Sequence, residues 1–332
     1  MCTPRRDFRP TPSHRKACAT DEAGPLSATL LAVQTLNGLQ LGILLFLIAA
    51  GLTLVFGVMD FINLAHGVQY MLGAYLAVTG YSLTGTFWGA LLFGMLGALV
   101  VGLVLELLVF RHLYDRDHLD QVLATFGIIL FLNEAVRTVW GSTPLTLPMP
   151  DLLSGSFELM DGLLYPVYRI ALIVAGLVVA AVLYILVTRT RAGMLVRAGA
   201  TNAPMVAALG VDIRRLFMLV FGFGTMLAGF AGILAAPILV VEPGMGDNLL
   251  ILAFVVIVIG GIGSIRGAFI AALIVGLVDT LGRGFATDIA KLVMSPSAAN
   301  SVGPAIASML IYLLMAAVLF FRPTGLFPAR GG

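Results

Sequence analysis

The stretch LIVAGLVVAAVLYILV (Leu172–Val187) contains no charged residue, and its only polar side-chain atom is the hydroxyl of Tyr184. A strand of a membrane barrel alternates apolar and polar residues, whereas this run is apolar on every face. A backbone inside lipid must also satisfy its own hydrogen bonds, which a helix does within one segment. The stretch therefore predicts a transmembrane helix, and its flanks extend it to the roughly 20 residues that a crossing requires.

The composition of the whole chain agrees with this stretch. Of its 332 residues, 60% are hydrophobic and 11% are charged, and the mean hydropathy is +1.04. A soluble protein carries about 25% charged residues, so this chain has too little polar surface to face water on all sides. We expect an all-α, polytopic transmembrane helix bundle of about 8–10 spans, with lipid as its outer solvent.

Apolar runs of sufficient length predict the individual spans. They cover residues 36–58, 66–83, 87–110, 121–140, 165–188, 216–237, 249–262, 267–283 and 302–321. The seventh run is short and ends in GGIGSIRG (Gly260–Gly267). Its glycines, Gly260, Gly261, Gly263 and Gly267, predict a broken or re-entrant segment.

Arginines in the loops predict the orientation. Segment 189–215 holds five arginines and one aspartate, so we expect it on the cytoplasmic side. Segments 141–164 and 238–248 have acidic residues but no Lys or Arg, so we expect them outside. Counting back through three spans leaves the Arg-rich N-terminal tail outside, against the rule. Either the tail is an exception, or the region Asp60–His66 does not complete an ordinary crossing.

The N-terminal residues differ in composition from the rest. Residues 1–30 are rich in Pro and Arg and contain both cysteines, Cys2 and Cys18, without the spacing of a metal site or a disulfide framework. We expect residues 1–30 to form a disordered polar tail and residues 31–328 to form one transmembrane domain.

One stretch, GVMDFINLAHGVQYMLGAY (Gly57–Tyr75), clusters polar side chains at membrane depth. Asp60, Asn63, His66 and Gln69 are spaced by three, which predicts a polar ridge along one side of a helix. An ionisable residue inside the membrane costs about 2.5–3.5 kcal/mol and is a functional candidate. The ridge either lines a polar pathway or forms a hydrogen-bonded seam against another helix, and the residues themselves leave both open.

Two other charged pairs have helical spacing. Glu134 with Arg137, and Asp279 with Arg283, are three and four residues apart, so each pair can neutralise itself on one helix face. No acidic residue lies clearly at the centre of a span. This argues against a carrier that is driven by an ion gradient and favours one that another component powers.

Motifs of enzymes and nucleotide-binding proteins are missing. The chain has no phosphate-binding loop, no dinucleotide fingerprint and no His-Glu-x-x-His pair, and its histidines are scattered at 14, 66, 112 and 118. We expect no metal and no cofactor in this chain. An intramembrane aspartyl protease needs two adjacent acids, but Asp115 and Asp247 fall in loops on opposite sides of the membrane, so we do not expect an enzyme.

Several segments resemble one family in the same order. GLTLVFGVMDFINLAHGVQYMLGAY (Gly51–Tyr75) is similar to the signature of the permease subunits of branched-chain amino acid ABC importers, of the LivH type. Three further stretches also resemble that family, and so does the C-terminal FRPTGLF (Phe321–Phe327). The three are TFGIILFLNEAVRTVWG (Thr125–Gly141), RTRAGMLVRAGATNAPMVAALGVDIRRL (Arg189–Leu216) and IGGIGSIRG (Ile259–Gly267). The resemblance covers about residues 36–328.

The resemblance implies a multi-pass subunit in a bacterial-type plasma (inner) membrane. Its partners would be a second permease of the LivM type, two cytoplasmic ATPases that use ATP and Mg²⁺, and an extracytoplasmic solute-binding protein, with no nucleic acid. Related permeases for urea or short-chain amides remain an alternative. A self-sufficient channel or secondary carrier is a further alternative from another class.

The resemblance also implies a role for the cytoplasmic segment 189–215. In ABC importers a short helix at this place docks on the ATPase, and here it would lie at about residues 197–210. Pro204 suits the start of a helix Pro204–Leu209 and Gly210 suits its end, while Ala207 and Ala208 are small enough for close docking. The coupling segment would begin at Arg197. No Glu precedes these alanines as in the general importer pattern, so the exact contact residues stay open.

Overall fold

The computed structural model describes residues 28–160 and 163–327, and the regular secondary structure within them is helical apart from one hairpin. The helices are α1 (Ala28–Met59), α2 (His66–Thr84), α3 (Phe87–Leu108), α4 (His118–Trp140), α5 (Val167–Arg189), α6 (Arg191–Ala208), α7 (Ile213–Ala235), α8 (Asp247–Gly260), α9 (Ile265–Lys291) and α10 (Pro296–Phe321). The antiparallel hairpin consists of β1 (Ser156–Met160) and β2 (Leu163–Pro166). The predicted all-α bundle is confirmed, because each of the predicted spans corresponds to a helix.

In the part of the chain that the structure describes, seven helices are long and apolar enough to cross a membrane: α1, α3, α4, α5, α7, α9 and α10. The chain is therefore a multi-pass membrane protein. The other two helices at predicted spans are shorter. α8 has 14 residues, which amounts to about 21 Å against a hydrocarbon core of about 30 Å, so the predicted short segment is confirmed. α2 has 19 residues and begins inside the bundle.

The bundle is organised around α1. In the most apolar 18-residue stretch of α1, 83% of the residues are buried, whereas 11% are buried in the corresponding stretches of α4 and α10. Glycines allow the close approach of α1 to α9: a Cβ on Gly42 would lie 2.9 Å from the carbonyl oxygen of Ala272, and a Cβ on Gly38 would lie 3.0 Å from Leu277 Cα. In lipid the hydrophobic effect does not drive helices together, and van der Waals attraction at such close contacts stabilises their packing instead.

α1 and α9 run antiparallel, since Gly38 meets Leu277 while Gly57 meets Gly263. The end of α1 lies beside the start of α4, where Asp60 is 3.8 Å from the His118 ring. If segment 189–215 is cytoplasmic, α1 makes a full crossing that begins outside. The side of the membrane on which the tail lies, and with it the choice between the two explanations, stays a prediction. Residues 1–27 of the predicted tail lie outside the described residues, whereas 28–30 belong to α1.

The two predicted outer segments contact each other. Leu145 and Val241 exchange both backbone hydrogen bonds at 2.9 Å, and the Tyr168 hydroxyl donates to the Leu234 carbonyl oxygen at 2.9 Å. Segments 141–160, 163–166 and 236–246 therefore lie together on one side of the bundle. This agrees with the prediction that both lie on the same side of the membrane.

The opposite side is closed by the C-terminal segment after α10. The backbone N–H groups of Leu326 and Phe327 donate to the carbonyl oxygens of Ile259 and Gly260, at 2.8 and 3.0 Å. Carbonyl groups at the end of a helix lack partners within the helix, so this segment satisfies the last turn of α8. Gly325, with a φ of 81°, packs directly on Gly261.

Candidate functional site

The segment between α5 and α7 is a helix with a break. α6 contains a non-helical residue, Asn202, with φ −158° and ψ 87°. The Asn202 side chain accepts a hydrogen bond from the Met205 N–H at 2.9 Å, which is the geometry of a helix N-cap. Pro204 lies in the first turn that follows, where its missing N–H costs nothing. The predicted short helix at Pro204–Leu209 is therefore present, and α6 ends at Ala208.

This second part of α6, residues 203–208, ends where the sequence predicted. The Gly210 N–H donates to the Ala207 carbonyl oxygen at 2.9 Å, and Gly210 has a φ of 86°, which glycine adopts without a Cβ penalty. Val206 packs inward, whereas Ala207 and Ala208 are exposed. Met205 is 61% and Leu209 is 78% exposed. We call the surface formed by Met205, Ala207, Ala208 and Leu209 the α6 tip; it is apolar and uncovered in this single chain. The predicted Arg197 is exposed in the first part of α6.

The predicted polar ridge is wrong for Asp60, because the helix is not continuous there. Asp60 has a φ of 50°, a region that Asp tolerates better than most residues, and it ends α1. Residues 60–63 are not helical. The Asp60 side chain is 78% exposed and approaches His118, whereas Asn63, His66 and Gln69 are buried.

His66 is the first residue of α2 and lies deep in the bundle. Its Nε2 is 3.1 Å from the Ile48 carbonyl oxygen, and its ring fills the space beside Gly51. Ile48 is 11 residues before the end of α1, which is about 17 Å along a helix, or about half of the membrane thickness. Residues 60–65 therefore return from the inner end of α1 to mid-membrane, where α2 begins.

The beginning of α8 meets the beginning of α2 at this depth. A Cβ on Gly67 would lie 2.6 Å from the Gly246 carbonyl oxygen and 2.9 Å from the Cβ of Leu250. Two helix N-termini, each with a partial positive charge, are thus in contact inside the bundle. Of the predicted ridge, Asn63 and His66 are fully buried and Gln69 is 2% exposed, with Gln69 alongside His66. Within residues 28–160 and 163–327, neither amide atom of Asn63 has a hydrogen-bond partner.

The burial of these three side chains favours the seam over an open pathway in this conformation. A residue that lines an open pathway contacts water. Asn63 and His66 have no exposed surface, and Gln69 is only 2% exposed. A buried polar group without a partner costs about 1–3 kcal/mol, so the seam is incompletely satisfied. Whether these residues serve a pathway in another conformation stays a prediction.

Sequence reasoning missed Gln121, which fixes the returning segment. Its side-chain oxygen accepts a hydrogen bond from the Ile62 N–H at 3.1 Å. Its amide nitrogen donates to the carbonyl oxygens of Leu113 and Arg116, at 3.3 and 3.1 Å. The side chain is buried and joins the segment at Ile62 to the loop between α3 and α4. The sequence signal was weak, since a single Gln at the start of an apolar run resembles an ordinary helix end.

A second cluster at the inner side surrounds Glu106. Glu106 is 1% exposed, accepts a hydrogen bond from the Tyr114 hydroxyl at 3.2 Å, and lies 3.5 Å from the Arg111 guanidinium. Burial raises the pKa of Tyr114, and the Glu106 carboxylate raises it further. Tyr114 therefore remains a protonated donor at every physiological pH, and the cluster holds the loop between α3 and α4 against α3.

The predicted glycines form the turn between α8 and α9. Gly260 and Gly267 are in direct contact, and a Cβ on Gly260 would lie 2.5 Å from the Gly267 carbonyl carbon. Gly261 and Gly263 have φ values of 100° and 78°, which a residue with a side chain rarely adopts. The break in the helix predicted from these four glycines is therefore present.

Of the two predicted charged pairs, one forms. Asp279 is 2.8 Å from Arg283, as the spacing predicted. Glu134 and Arg137 form no ion pair with each other or with another residue of the described ranges, because both side chains are exposed on the outer part of α4 and the bundle does not force them together. No group of three possible metal ligands occurs in residues 28–160 and 163–327.

Comparison with known proteins identifies the family. The sequence model of the family described as branched-chain amino acid transport system, permease component, matches residues 34–319. The chain belongs to this permease family. The resemblance found in the sequence is thereby confirmed, and the chain is a transport subunit rather than an enzyme.

Curated relatives of this permease agree with the family over most of their length. The high-affinity branched-chain amino acid transport system permease protein BraD of Pseudomonas aeruginosa is 30% identical over 307 residues, which are 88% of this chain and 94% of that protein. LivH of Escherichia coli K12 is 30% identical over 308 residues, with the same coverage. The probable LivH of Methanocaldococcus jannaschii is 28% identical over 249 residues, 72% of this chain and 76% of that protein. No solved structure gives a significant match.

Proposed function

We propose that this permease is the membrane-spanning subunit of an ATP-binding-cassette importer for branched-chain or related amino acids. The observation that carries the proposal is the family match over residues 34–319, supported by relatives that are named as branched-chain amino acid permeases and align over almost their whole length. A permease for urea or short-chain amides is the alternative. Substrate competition in the reconstituted transporter distinguishes the two.

The proposal requires partners that this chain does not supply. They are a second permease of the LivM type, two cytoplasmic ATPases that bind ATP and Mg²⁺, and a solute-binding protein outside the membrane. The membrane would be a bacterial-type plasma (inner) membrane. The sequence supports ATP binding by separate subunits, because this chain has no phosphate-binding loop of its own.

The α6 tip is the surface that we propose to contact an ATPase. Its apolar side chains are exposed in the segment with the five loop arginines, where the bundle does not cover them. Exposed apolar patches with a polar rim are typical of protein interfaces. The Asn202 break separates the tip from the first part of α6, so the tip presents its side chains independently of α5. Movement of the tip would reach the bundle through α7, which begins at Ile213.

We further propose that Asn63, His66 and Gln69 form a closed constriction rather than an open channel. The partially satisfied seam between α1, α2 and α8 is held by few polar contacts, so its opening requires the loss of little hydrogen bonding. The two helix N-termini that meet there would favour an anionic group such as the carboxylate of an amino acid. Asp60, which is exposed at the inner end of α1, would lie at the inner mouth of the pathway.

The variant His66→Ala tests this proposal for the constriction. Uptake is expected to fall while the amount of assembled transporter in the membrane remains normal. Gln40→Ala is a matched control, because Gln40 is also a buried polar residue, 7% exposed. It lies on α1 eight residues before Ile48, which is about 12 Å along the helix from the contact with His66. Loss of assembled protein in His66→Ala would instead identify a purely structural seam.

Reconstitution into liposomes tests the function as a whole. We expect ATP-dependent uptake of a branched-chain amino acid only when the ATPases, the second permease and the binding protein accompany this chain. Substrate flux through this chain without ATPases would identify a channel or a secondary carrier. ATP-driven uptake of urea or an amide, without competition by leucine, would favour the alternative substrate.

A further inference from the structure

A cleft opens between α1, α5 and α9 at membrane depth. Its volume is about 380 Å³, and its walls are the apolar side chains of Phe46, Leu177, Ala180, Ala181, Phe269 and Ile270. α5 packs along α1 but meets α9 at only a few positions, which leaves the cleft open towards the lipid. An apolar cleft of this kind has no reason to hold water, because it offers water few hydrogen-bond partners.

One end of the cleft carries a positive charge. Arg266, in the first turn of α9, donates a hydrogen bond to the Tyr184 hydroxyl at 2.6 Å, and its guanidinium carbon lies 4.8 Å from the centre of the Tyr184 ring. Arg266 forms no ion pair with an acidic side chain of the described ranges. Its side chain is therefore oriented by Tyr184 while its charge stays uncompensated.

The charged end lies on the side that the loop arginines assign to the cytoplasm. Tyr184 is one turn from the end of α5, and Arg189 and Arg191 follow it, both exposed and both without an ion pair within residues 28–160 and 163–327. The apolar walls extend from there towards the middle of the membrane. The cleft thus combines cations at headgroup depth with an apolar groove at acyl-chain depth.

We propose that this cleft binds an anionic phospholipid of the inner leaflet. The phosphate would accept hydrogen bonds from Arg266, whose planar guanidinium suits a phosphate oxygen pair, and one acyl chain would lie along Ala180, Ala181 and Ile270. Basic side chains at the membrane surface attract anionic lipids. A helix of another subunit fits less well, since it would have to bring an acidic residue to Arg266.

Photo-crosslinking of the assembled transporter in nanodiscs tests the proposal. The probe is phosphatidylglycerol with a diazirine in one acyl chain, and labelled peptides of this chain are quantified by mass spectrometry. We expect labels on α5 and α9 within the cleft, and about fivefold less labelling in Arg266→Gln. Arg137→Gln is the matched control, because Arg137 is an exposed arginine on the other side of the membrane, and it should label normally.

A second variant and a second probe keep the test decisive if Arg266→Gln assembles poorly. Ala180→Phe fills the groove without a change of charge and should also reduce labelling, while a phosphatidylcholine probe should label the native cleft about fivefold less than phosphatidylglycerol. Equal labelling by both lipids, or normal labelling in Arg266→Gln, would overturn the proposal. It would also be overturned if the variant Ala181→Cys cross-linked to another subunit in high yield, since the cleft would then be a protein interface.

Discussion

The crossing of α2 and α7 depends on a glycine whose replacement gives a quantitative test of the fold. A Cβ added to Gly232 would overlap the Tyr70 carbonyl oxygen and lie 3.3 Å from the Ala74 backbone nitrogen. These atoms belong to the backbone of α2, so no rotation of a side chain relieves the contact. The Gly232→Ala variant therefore has to separate the two helices.

The magnitude follows from two opposing terms. Overpacking of a core typically costs 1–3 kcal/mol, and a contact with backbone places the cost near the upper value, about 3 kcal/mol. Replacing a helical Gly by Ala returns about 1 kcal/mol of helix propensity. We expect a net loss of about 2 kcal/mol in the free energy of unfolding.

Gly127→Ala is the matched control for this prediction. Gly127 is also helical, within α4, and a Cβ there would meet no atom within 4 Å. Only the gain in helix propensity remains, so the free energy of unfolding of this variant should rise by up to about 1 kcal/mol. The two substitutions should therefore differ by about 3 kcal/mol in opposite directions, which follows from the terms above.

The assay is denaturant unfolding in mixed micelles, followed by near-ultraviolet circular dichroism, with thermal unfolding as a second readout. Gly224→Ala should lie between the other two, since its Cβ would be 3.0 Å from the Gly51 carbonyl oxygen. Equal stability of Gly232→Ala and Gly127→Ala would show that α2 does not cross α7 at this point, and the arrangement around His66 would then be wrong.

Two further predictions concern the polar contacts of the bundle. Gln121→Ala removes hydrogen bonds to three backbone groups, including the Ile62 N–H. It should lower the free energy of unfolding by about 1–3 kcal/mol and make segment 60–65 a site of limited proteolysis. Unchanged proteolysis would exclude this role of Gln121. The pair Asp279–Arg283 should respond asymmetrically, because the Asp279 side chain is 7% exposed and the Arg283 side chain 59%. Arg283→Gln leaves a buried carboxylate unpaired and should cost about 3 kcal/mol. Asp279→Asn leaves an unpaired but exposed arginine and should cost about 1 kcal/mol or less. Unfolding measurements that gave the reverse order would contradict the burial of Asp279.

The sequence was sufficient to locate the helices at the predicted spans and the break after α8. Long apolar runs admit one structure in lipid, and the glycines at Gly260–Gly267 lack the side chains that a continuous packed helix would use. The short helix at Pro204 was also predictable, since Pro at its start and Gly after its end act locally. Local signals of this kind do not depend on how distant parts of the chain pack.

The arrangement around His66 could not be predicted in the same way. A spacing of three between Asp60, Asn63 and His66 has the same appearance whether the helix is continuous or interrupted, and Asp60 ends α1 with a positive φ that only its side-chain type weakly indicates. The depth at which α2 begins is decided by Gln121 and by the contact with Gly246, both of which are remote in sequence. The hairpin of β1 and β2 was missed because its strands are short, with five and four residues.

The most direct test of the account concerns the α6 tip in the complete transporter. Ala208→Glu places a charge on the surface that we propose to contact an ATPase, whereas Ala192→Glu places the same charge on the exposed first turn of α6 as a control. ATP hydrolysis and leucine uptake are measured in the same proteoliposomes. We predict that Ala208→Glu retains hydrolysis but loses about tenfold or more of its uptake, with the control unaffected. Normal uptake per ATP hydrolysed in Ala208→Glu would contradict the claim that ATPases move this permease through α6.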